Sequence, residues 1–139
     1  IRSSTVNCSI NFLKYSEDMY IFGNEDKIAQ VFDNLIQNAV SFSTDKQIIN
    51  IRLEKSLEHI IIKVEDNGPG FSNESLNKVF DRFYTDRPKN EKFGNHSGLG
   101  LSISKQIVLA HGGTIEALNR FNQKNECVGG SVKVSFLEI

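Results

Sequence analysis

The residues best placed to do chemistry are Asp66-Asn67-Gly68-Pro69-Gly70-Phe71. An apolar run over residues 59–64, centred on Ile60, Ile61 and Ile62, reads as a strand entering a buried sheet just before them. Gly68 and Gly70 permit positive φ and a close approach of backbone to ligand, and Pro69 fixes φ between them. An acid held at such a place, partly shielded, can accept a hydrogen bond from an exocyclic amine such as that of adenine. Alone, the stretch reads first as a tight surface turn capped by Asp66. Its company changes that reading.

Ser97-Gly98-Leu99-Gly100-Leu101 opens a helix, where free N–H groups and the positive dipole end favour phosphate. Gly98 and Gly100 would let the backbone wrap such a group without a Cβ in the way. The pair does not follow a strand, so the dinucleotide fingerprint fails, and the Gly-Lys-Ser/Thr of a P-loop is missing. After a long polar segment, it reads as the hinge of a lid over phosphates. Asn38 offers a neutral oxygen of the kind Mg2+ accepts when substrate phosphates and water complete its shell. Arg82 or Arg87 could neutralise charge on a γ-phosphoryl group, and His96, beside the glycines, could contact phosphate. Phe80 and Phe83 read as packing at the base of the loop. His59 reads as a strand-face residue and His111 as a helix C-terminal one.

These groups need elements to hold them. Residues 5–12 and 19–22 read as strands, the first by alternation of Val6, Cys8, Ile10 and Phe12. Asn24 offers an N-cap, with Glu25 and Asp26 in the first turn of a helix over residues 25–42. Its core face is Ile28, Val31/Phe32, Leu35, Ala39 and Phe42. Asn34, Asn38 and Ser41 form a polar stripe beside that face, although Asn is a mediocre helix former. Residues 43–46 read as a turn; 47–55 and 59–65 read as an antiparallel hairpin turning at Ser56-Leu57-Glu58. A short helix over 74–80 follows, then a polar loop over 85–97 of the kind that forms lids or stays disordered. The last helix runs from Ser97 to about His111, with Leu99, Ile103, Ile107 and Ala110 as its stripe and Gly112 as its stop. A strand over 114–118, a polar loop over 119–130 and a closing strand over 131–137 complete the chain. Helices alternating with mostly antiparallel strands imply a two-layer α/β sandwich.

With 139 residues the chain fits one domain, residues 1–139. A net charge of −1 argues against broad attraction to nucleic acid or anionic membranes. No apolar run approaches the roughly 20 residues that span a bilayer. Cys8 and Cys127 show no metal spacing or disulfide framework and read as reduced thiols in a cytosolic setting. The chain starts at Ile1 and its sole methionine is Met19, so the expectation is a fragment of a longer protein whose other segments can include membrane anchors.

On these residues the chain resembles the ATP-binding catalytic domain of a two-component sensor histidine kinase, in the GHKL superfamily. Asn34-Leu35-Ile36-Gln37-Asn38-Ala39 is similar to the family's N box, and Asp66-Asn67-Gly68-Pro69-Gly70 to its first glycine box. Phe80-Asp81-Arg82-Phe83 is similar to the F box, Ser97-Gly98-Leu99-Gly100-Leu101 to the second glycine box, and His111-Gly112-Gly113-Thr114-Ile115 to a further one. Residues 83–88 and the Ser-Gly-Leu-Gly-Leu-Ser-Ile-Ser run resemble ChvG/ExoS-type envelope sensors. The resemblance implies the Bergerat fold, a mixed sheet under about three helices. It implies ATP and Mg2+ as cofactors, with Asp66 on the adenine amine and Asn38 as the metal ligand. It also implies Asn34, Asn38 and Arg82 as catalytic residues. Phe42 would lie against base or ribose, Ser131 would stand where the family often has Thr near adenine, and residues from Gly98 to Leu101 would meet the phosphates. Gly68, Gly70, Phe71, Arg87 and His96 complete the expected nucleotide site. Ser41 stands where the family often carries Lys or Arg, so Arg82, Arg87 or a lid residue must compensate. The implied partners are the protein's own histidine-containing dimerisation domain and a response regulator receiver domain, with no nucleic acid and no direct membrane contact. The implied location is the cytoplasmic side of an inner-membrane sensor.

Three other readings compete. Hydrolytic members of the superfamily carry Glu where Asn34 stands, because hydrolysis needs a base to activate water. A decayed binding module would not keep the glycines and Asn38. A serine hydrolase is excluded because Gly94-Asn95-His96-Ser97-Gly98 lacks the Gly-x-Ser-x-Gly elbow. No histidine here sits in an acid-flanked helical segment, so the phosphoryl acceptor is expected before Ile1.

Overall fold

The computed structural model describes residues 9–13, 19–43, 48–82 and 100–139. Among these residues five strands form one sheet: β1 (Ser9–Leu13), β2 (Ile48–Ser56), β3 (His59–Glu65), β4 (Thr114–Phe121) and β5 (Cys127–Leu137). Their spatial order is β1-β2-β3-β5-β4. β1 and β2 are parallel, which a helical crossover between them makes possible, and every other pairing is antiparallel. The helices are α1 (Glu25–Phe42), α2 (Asn73–Lys78) and α3 (Gly100–Ala110).

α1 forms where its caps place it. The Asn24 side-chain oxygen accepts from the Lys27 N–H at 3.0 Å, and the Ser43 N–H returns to the Val40 carbonyl at 3.1 Å. Its Val31, Leu35 and Ala39 pack into one core with Ile62 and Val64 of β3, Val132, Val134 and Phe136 of β5, and Leu101, Ile107 and Val108 of α3. α3 ends as its glycines require. Gly112 takes φ +75°, its N–H bonds the Leu109 carbonyl, and the Gly113 N–H bonds the Val108 carbonyl, a Schellman closure. His111 ties the two helix ends together: Nδ1 donates to the Ile107 carbonyl (2.8 Å) and Nε2 accepts the Asn24 N–H (3.1 Å).

The sheet face away from the helices carries charge. Arg52 and Glu65 pair at 2.8 Å, Lys63 and Glu54 at 3.3 Å, and Lys133 and Glu116 at 3.9 Å. A face covered by paired, half-exposed ions cannot take a second helical layer, so the architecture is the expected two-layer sandwich.

Four expectations about elements need correction. Residues 19–22 alternate as a strand would, but among the described residues a single backbone bond, Ile139 N–H to the Tyr20 carbonyl at 3.1 Å, stands in for a ladder. The short helix α2 ends at Lys78, with Val79 and Phe80 in a turn. α3 buries Leu101, Ser102, Ser104, Ile107 and Val108, with the expected Ile103 half-buried against the core, while Ala110 is exposed; Ser104 turns inward because its hydroxyl accepts from Asn34. The polar loop expected over 119–130 shrinks to residues 122–126, since β4 runs to Phe121 and β5 begins at Cys127.

Candidate functional site

One face of α1 links two clusters of backbone. At its middle, Asn34 Nδ2 donates to the Gly100 carbonyl (3.1 Å) and to Ser104 Oγ (3.2 Å), fixing the first turn of α3. Two turns on, the Phe42 carbonyl sits so close to Gly68 that a Cβ there would lie 2.2 Å from it. The Phe42 and Phe71 rings meet edge to face, 5.5 Å between centroids. Asn38, only 4% exposed, lies between, one turn from each. From Asn34 to Phe42 this face spans about 12 Å, on the scale of a nucleoside triphosphate.

Asp66 marks the Gly68 end. It follows the last residue of β3 and is 3% exposed. Its Oδ1 accepts from the Gly68 N–H (2.9 Å) and the Gly130 N–H (3.1 Å). Both bonds use the same oxygen, so among the described residues Oδ2 remains as the acceptor for an incoming donor. Burial pushes the Asp66 carboxyl above its ordinary range, against the opposing pull of the two N–H groups and of Arg120. Gly70 has the expected positive φ, +82°, and a Cβ there would meet Cys127 Sγ and Asn119 Oδ1.

Several anticipated residues take other places. Ser131 is directly opposite Glu65 in the β3–β5 register, and facing residues of an antiparallel pair share a sheet face. That is the charged face, away from the helices, whereas Asp66 continues the alternation of Ile62 and Val64 on the helix side. The expected place of Ser131 near adenine is therefore corrected: alternation along β5 gives the helix side to Gly130 and Val132. Phe71 and Leu101 are buried in the core, so their rings and side chains support the site from behind. Gly100 has room for a Cβ, whose nearest neighbour would be Asn34 at 3.7 Å, so no crowding among the described residues demands glycine. Arg82 is exposed beyond α2. Arg87, His96, Gly98 and Leu99 lie outside the described residues.

Two residues of the site escaped the sequence reading. Asn119 and Arg120, at the end of β4, both bond the Asp66–Phe71 stretch. An Asn-Arg pair before a run of polar residues looks like a turn, and nothing in its spacing marks it.

A cavity of about 410 Å³ lies on another flank of α1, lined by Ile28, Phe32 and Ile36 together with Ile51, Leu53 and Ile60 among others. Every lining residue is apolar, so it offers nothing to a phosphate. No helix among the described residues is long and apolar enough to cross a membrane.

Residues 23–137 match the family described as histidine kinase-, DNA gyrase B-, and HSP90-like ATPase. The sensor protein ChvG of Agrobacterium fabrum is 51% identical over 98 residues, covering 70% of this chain and 16% of that protein. The sensor histidine kinase WalK of Bacillus subtilis is 41% identical over 103 residues, covering 72% of this chain and 17% of that protein. The chain thus spans about a sixth of the length of these relatives. Among solved structures, the catalytic domain of histidine kinase ThkA in a nucleotide-free form is similar with a TM-score of 0.77 and 28% identity, over 95% of this chain and 80% of that one. ThkA in complex with the response regulator protein TrrA is similar with a TM-score of 0.74 and 26% identity, over 95% of this chain and 34% of that one.

Proposed function

Since the chain belongs to the histidine kinase-, DNA gyrase B-, and HSP90-like ATPase family, we propose that it binds ATP and donates the γ-phosphoryl group to a histidine on another domain of a sensor kinase. The observation that carries the reading is the α1 face on which Asn34, Asn38 and Phe42 run from the start of α3 to the Asp66 cluster. Asp66 Oδ2 accepts the exocyclic amine of adenine, while the base lies near Phe42. The triphosphate extends toward Gly100, with Arg82, Arg87 and His96 as further phosphate-end candidates together with Gly98, Leu99 and the backbone of Leu101.

Mg2+ fits the donor chemistry on α1: Asn38 presents a hard, neutral oxygen one helical turn from Asn34, and such a site needs phosphate oxygens and water to complete it. When bound, the ion offsets phosphate charge. Asn38 would hold it, and Asn34 would keep the α3 turn in place.

In the transfer, an imidazole nitrogen of the acceptor bonds the γ-phosphorus as the bond to the β,γ-bridging oxygen breaks, and ADP leaves. Asn34 takes no proton in that step. An amide is no base, and its N–H groups are committed to Gly100 and Ser104. For the same reason hydrolysis of ATP is disfavoured as the main activity. Of the chain's own histidines, His111 has both ring nitrogens engaged, and His59 is exposed at the start of β3, the opposite end of that strand from Asp66.

The similarity to ThkA, whose complex with a response regulator is known, supports relay from the phosphorylated histidine to a receiver domain. The sensor relatives support a place on the cytoplasmic side of a membrane sensor. The test is to titrate the chain with a non-hydrolysable ATP analogue in magnesium while incubating a parallel sample with γ-labelled ATP. Binding without self-labelling is expected. No binding, or robust labelling of His59, His96 or His111, would overturn the reading.

A further inference from the structure

Consecutive residues of a strand point to opposite faces of its sheet. At the end of β4 this puts Asn119 on the helix side and Arg120 on the open side, and both reach the same stretch. Asn119 Oδ1 accepts the Phe71 N–H at 2.7 Å, and its Nδ2 donates to the Phe71 carbonyl at 2.8 Å. A side-chain amide thereby supplies the pair of bonds a neighbouring strand would give. Arg120 Nη2 donates to the Asp66 carbonyl at 2.7 Å and to Asn67 Oδ1 at 2.6 Å. Asn67 is anchored in turn, its Nδ2 donating to the Ile48 carbonyl at 2.8 Å.

Gly129 and Gly130 make room for this arrangement. A Cβ on Gly129 would lie 2.0 Å from the Asp66 carbonyl oxygen and 2.9 Å from Arg120 Nη2. One on Gly130 would lie 3.0 Å from the Phe71 ring and 3.2 Å from Asp66 Oδ2. The grip also carries a cost, because Arg120 Nε is buried with no hydrogen-bond partner among the described residues. An arginine that merely covered the strand could turn that N–H to water.

We propose that Asn119 and Arg120 are positioning residues for the adenine-reading carboxylate, clamping the stretch from Asp66 to Phe71 at both ends so that Asp66 Oδ2 meets a 6-amino purine at fixed geometry. The inference rests on the ATP reading above. The carboxylate accepts from a 6-amino group and repels the carbonyl of a 6-oxo purine, so holding it rigidly serves affinity and discrimination together. Ribose and triphosphate are common to both nucleotides and do not report on the clamp.

The experiment measures affinity of the whole chain for ATP and for inosine triphosphate, in wild type, Arg120→Met and Arg120→Lys, with folding followed by circular dichroism. Wild type is expected to favour ATP; equal affinities would sink the adenine reading itself and leave the clamp nothing to position. In Arg120→Met, ATP affinity is expected to fall about tenfold while inosine triphosphate affinity moves less than about twofold. Arg120→Lys, which keeps the charge on a shorter side chain whose nitrogen does not reach the place of Nη2, is expected to fall between and serves as the readout where Arg120→Met does not fold. Equal losses for both nucleotides, or an unchanged ratio in folded variants, would show that the pair only stabilises the hairpin and would overturn the proposal.

Discussion

The Asn34 side chain donates to the Gly100 carbonyl across 66 residues of sequence, and the same nitrogen reaches Ser104 Oγ. A group expected to act on a nucleotide is therefore also a brace between two helices. Asn34→Ala removes both bonds and leaves the buried Ser104 hydroxyl of α3 short of a partner. The expected loss of stability is about 1–2 kcal/mol, with faster amide exchange in the first turn of α3 and weaker nucleotide binding. Asn34→Asp is expected to be at least as damaging, because a carboxylate would face the Gly100 carbonyl with no hydrogen to donate. Unchanged exchange in that turn would show that the brace is not what orders it.

Glycine substitutions separate the needs of the fold from those of the ligand. A Cβ on Gly68 would stand 2.2 Å from the Phe42 carbonyl, a backbone atom that cannot swing aside. Gly68→Ala is expected to cost about 2 kcal/mol or more and to displace Asp66 with it. Gly100 differs, since among the described residues its Cβ would meet only Asn34, at an ordinary 3.7 Å. Gly100→Ala is expected to leave stability unchanged or raise it by up to about 1 kcal/mol, yet to weaken ATP binding. Thermal midpoints paired with nucleotide titrations check both. Equal effects of the two substitutions on stability would contradict the assignment.

These contrasts explain what the sequence could disclose. α1 was legible to the residue, because Asn24, the acidic first turn and the spacing of Val31, Leu35 and Ala39 all point to the same helix. The hairpin of β2 and β3 followed from its two apolar runs. Residues 19–22 misled because alternation reports which side chains turn inward: Met19 and Ile21 do line a cavity, but among the described residues the segment has no ladder. The end of β4 stayed hidden for the opposite reason. Asn119 and Arg120 have poor strand propensity, and what holds them in the strand is their bonding to a stretch some fifty residues earlier, which local pattern cannot report. Ser131 failed by parity, since a shift of one residue moves a strand side chain to the opposite face.

Magnesium dependence tests Asn38. If its amide oxygen holds the ion, Asn38→Ala is expected to lower ATP affinity about tenfold or more in magnesium. With the metal removed by a chelator, wild type and variant are expected to bind ATP alike. A loss of the same size in both conditions would mean that Asn38 shapes the pocket without touching the ion.

Asp66 sets activity against stability. Burial raises its carboxyl above the ordinary range, outweighing the Gly68 and Gly130 N–H bonds and the charge of Arg120. The folded chain therefore holds this proton more tightly than the unfolded chain does. The stability contributed by the group is fully present below the ordinary carboxyl range and is lost as pH rises through the raised folded value. At neutral pH the ionised, desolvated side chain is a net cost, and an amide in its place could still accept the same two N–H bonds. Asp66→Asn is thus expected to be at least as stable as wild type near neutral pH, with its advantage shrinking as pH falls through the raised folded value and levelling off below about pH 4, where both folded and unfolded wild type are protonated. Nucleotide binding should move the other way. The amide would present a donor or a displaced acceptor to the adenine amine, and an unpaired polar contact of that kind is expected to weaken ATP about a hundredfold. Urea midpoints for both proteins across the acidic and neutral range decide the matter: a wild type that gains on the variant as pH rises would show that ionised Asp66 stabilises the fold, and the conflict between site and stability would be gone.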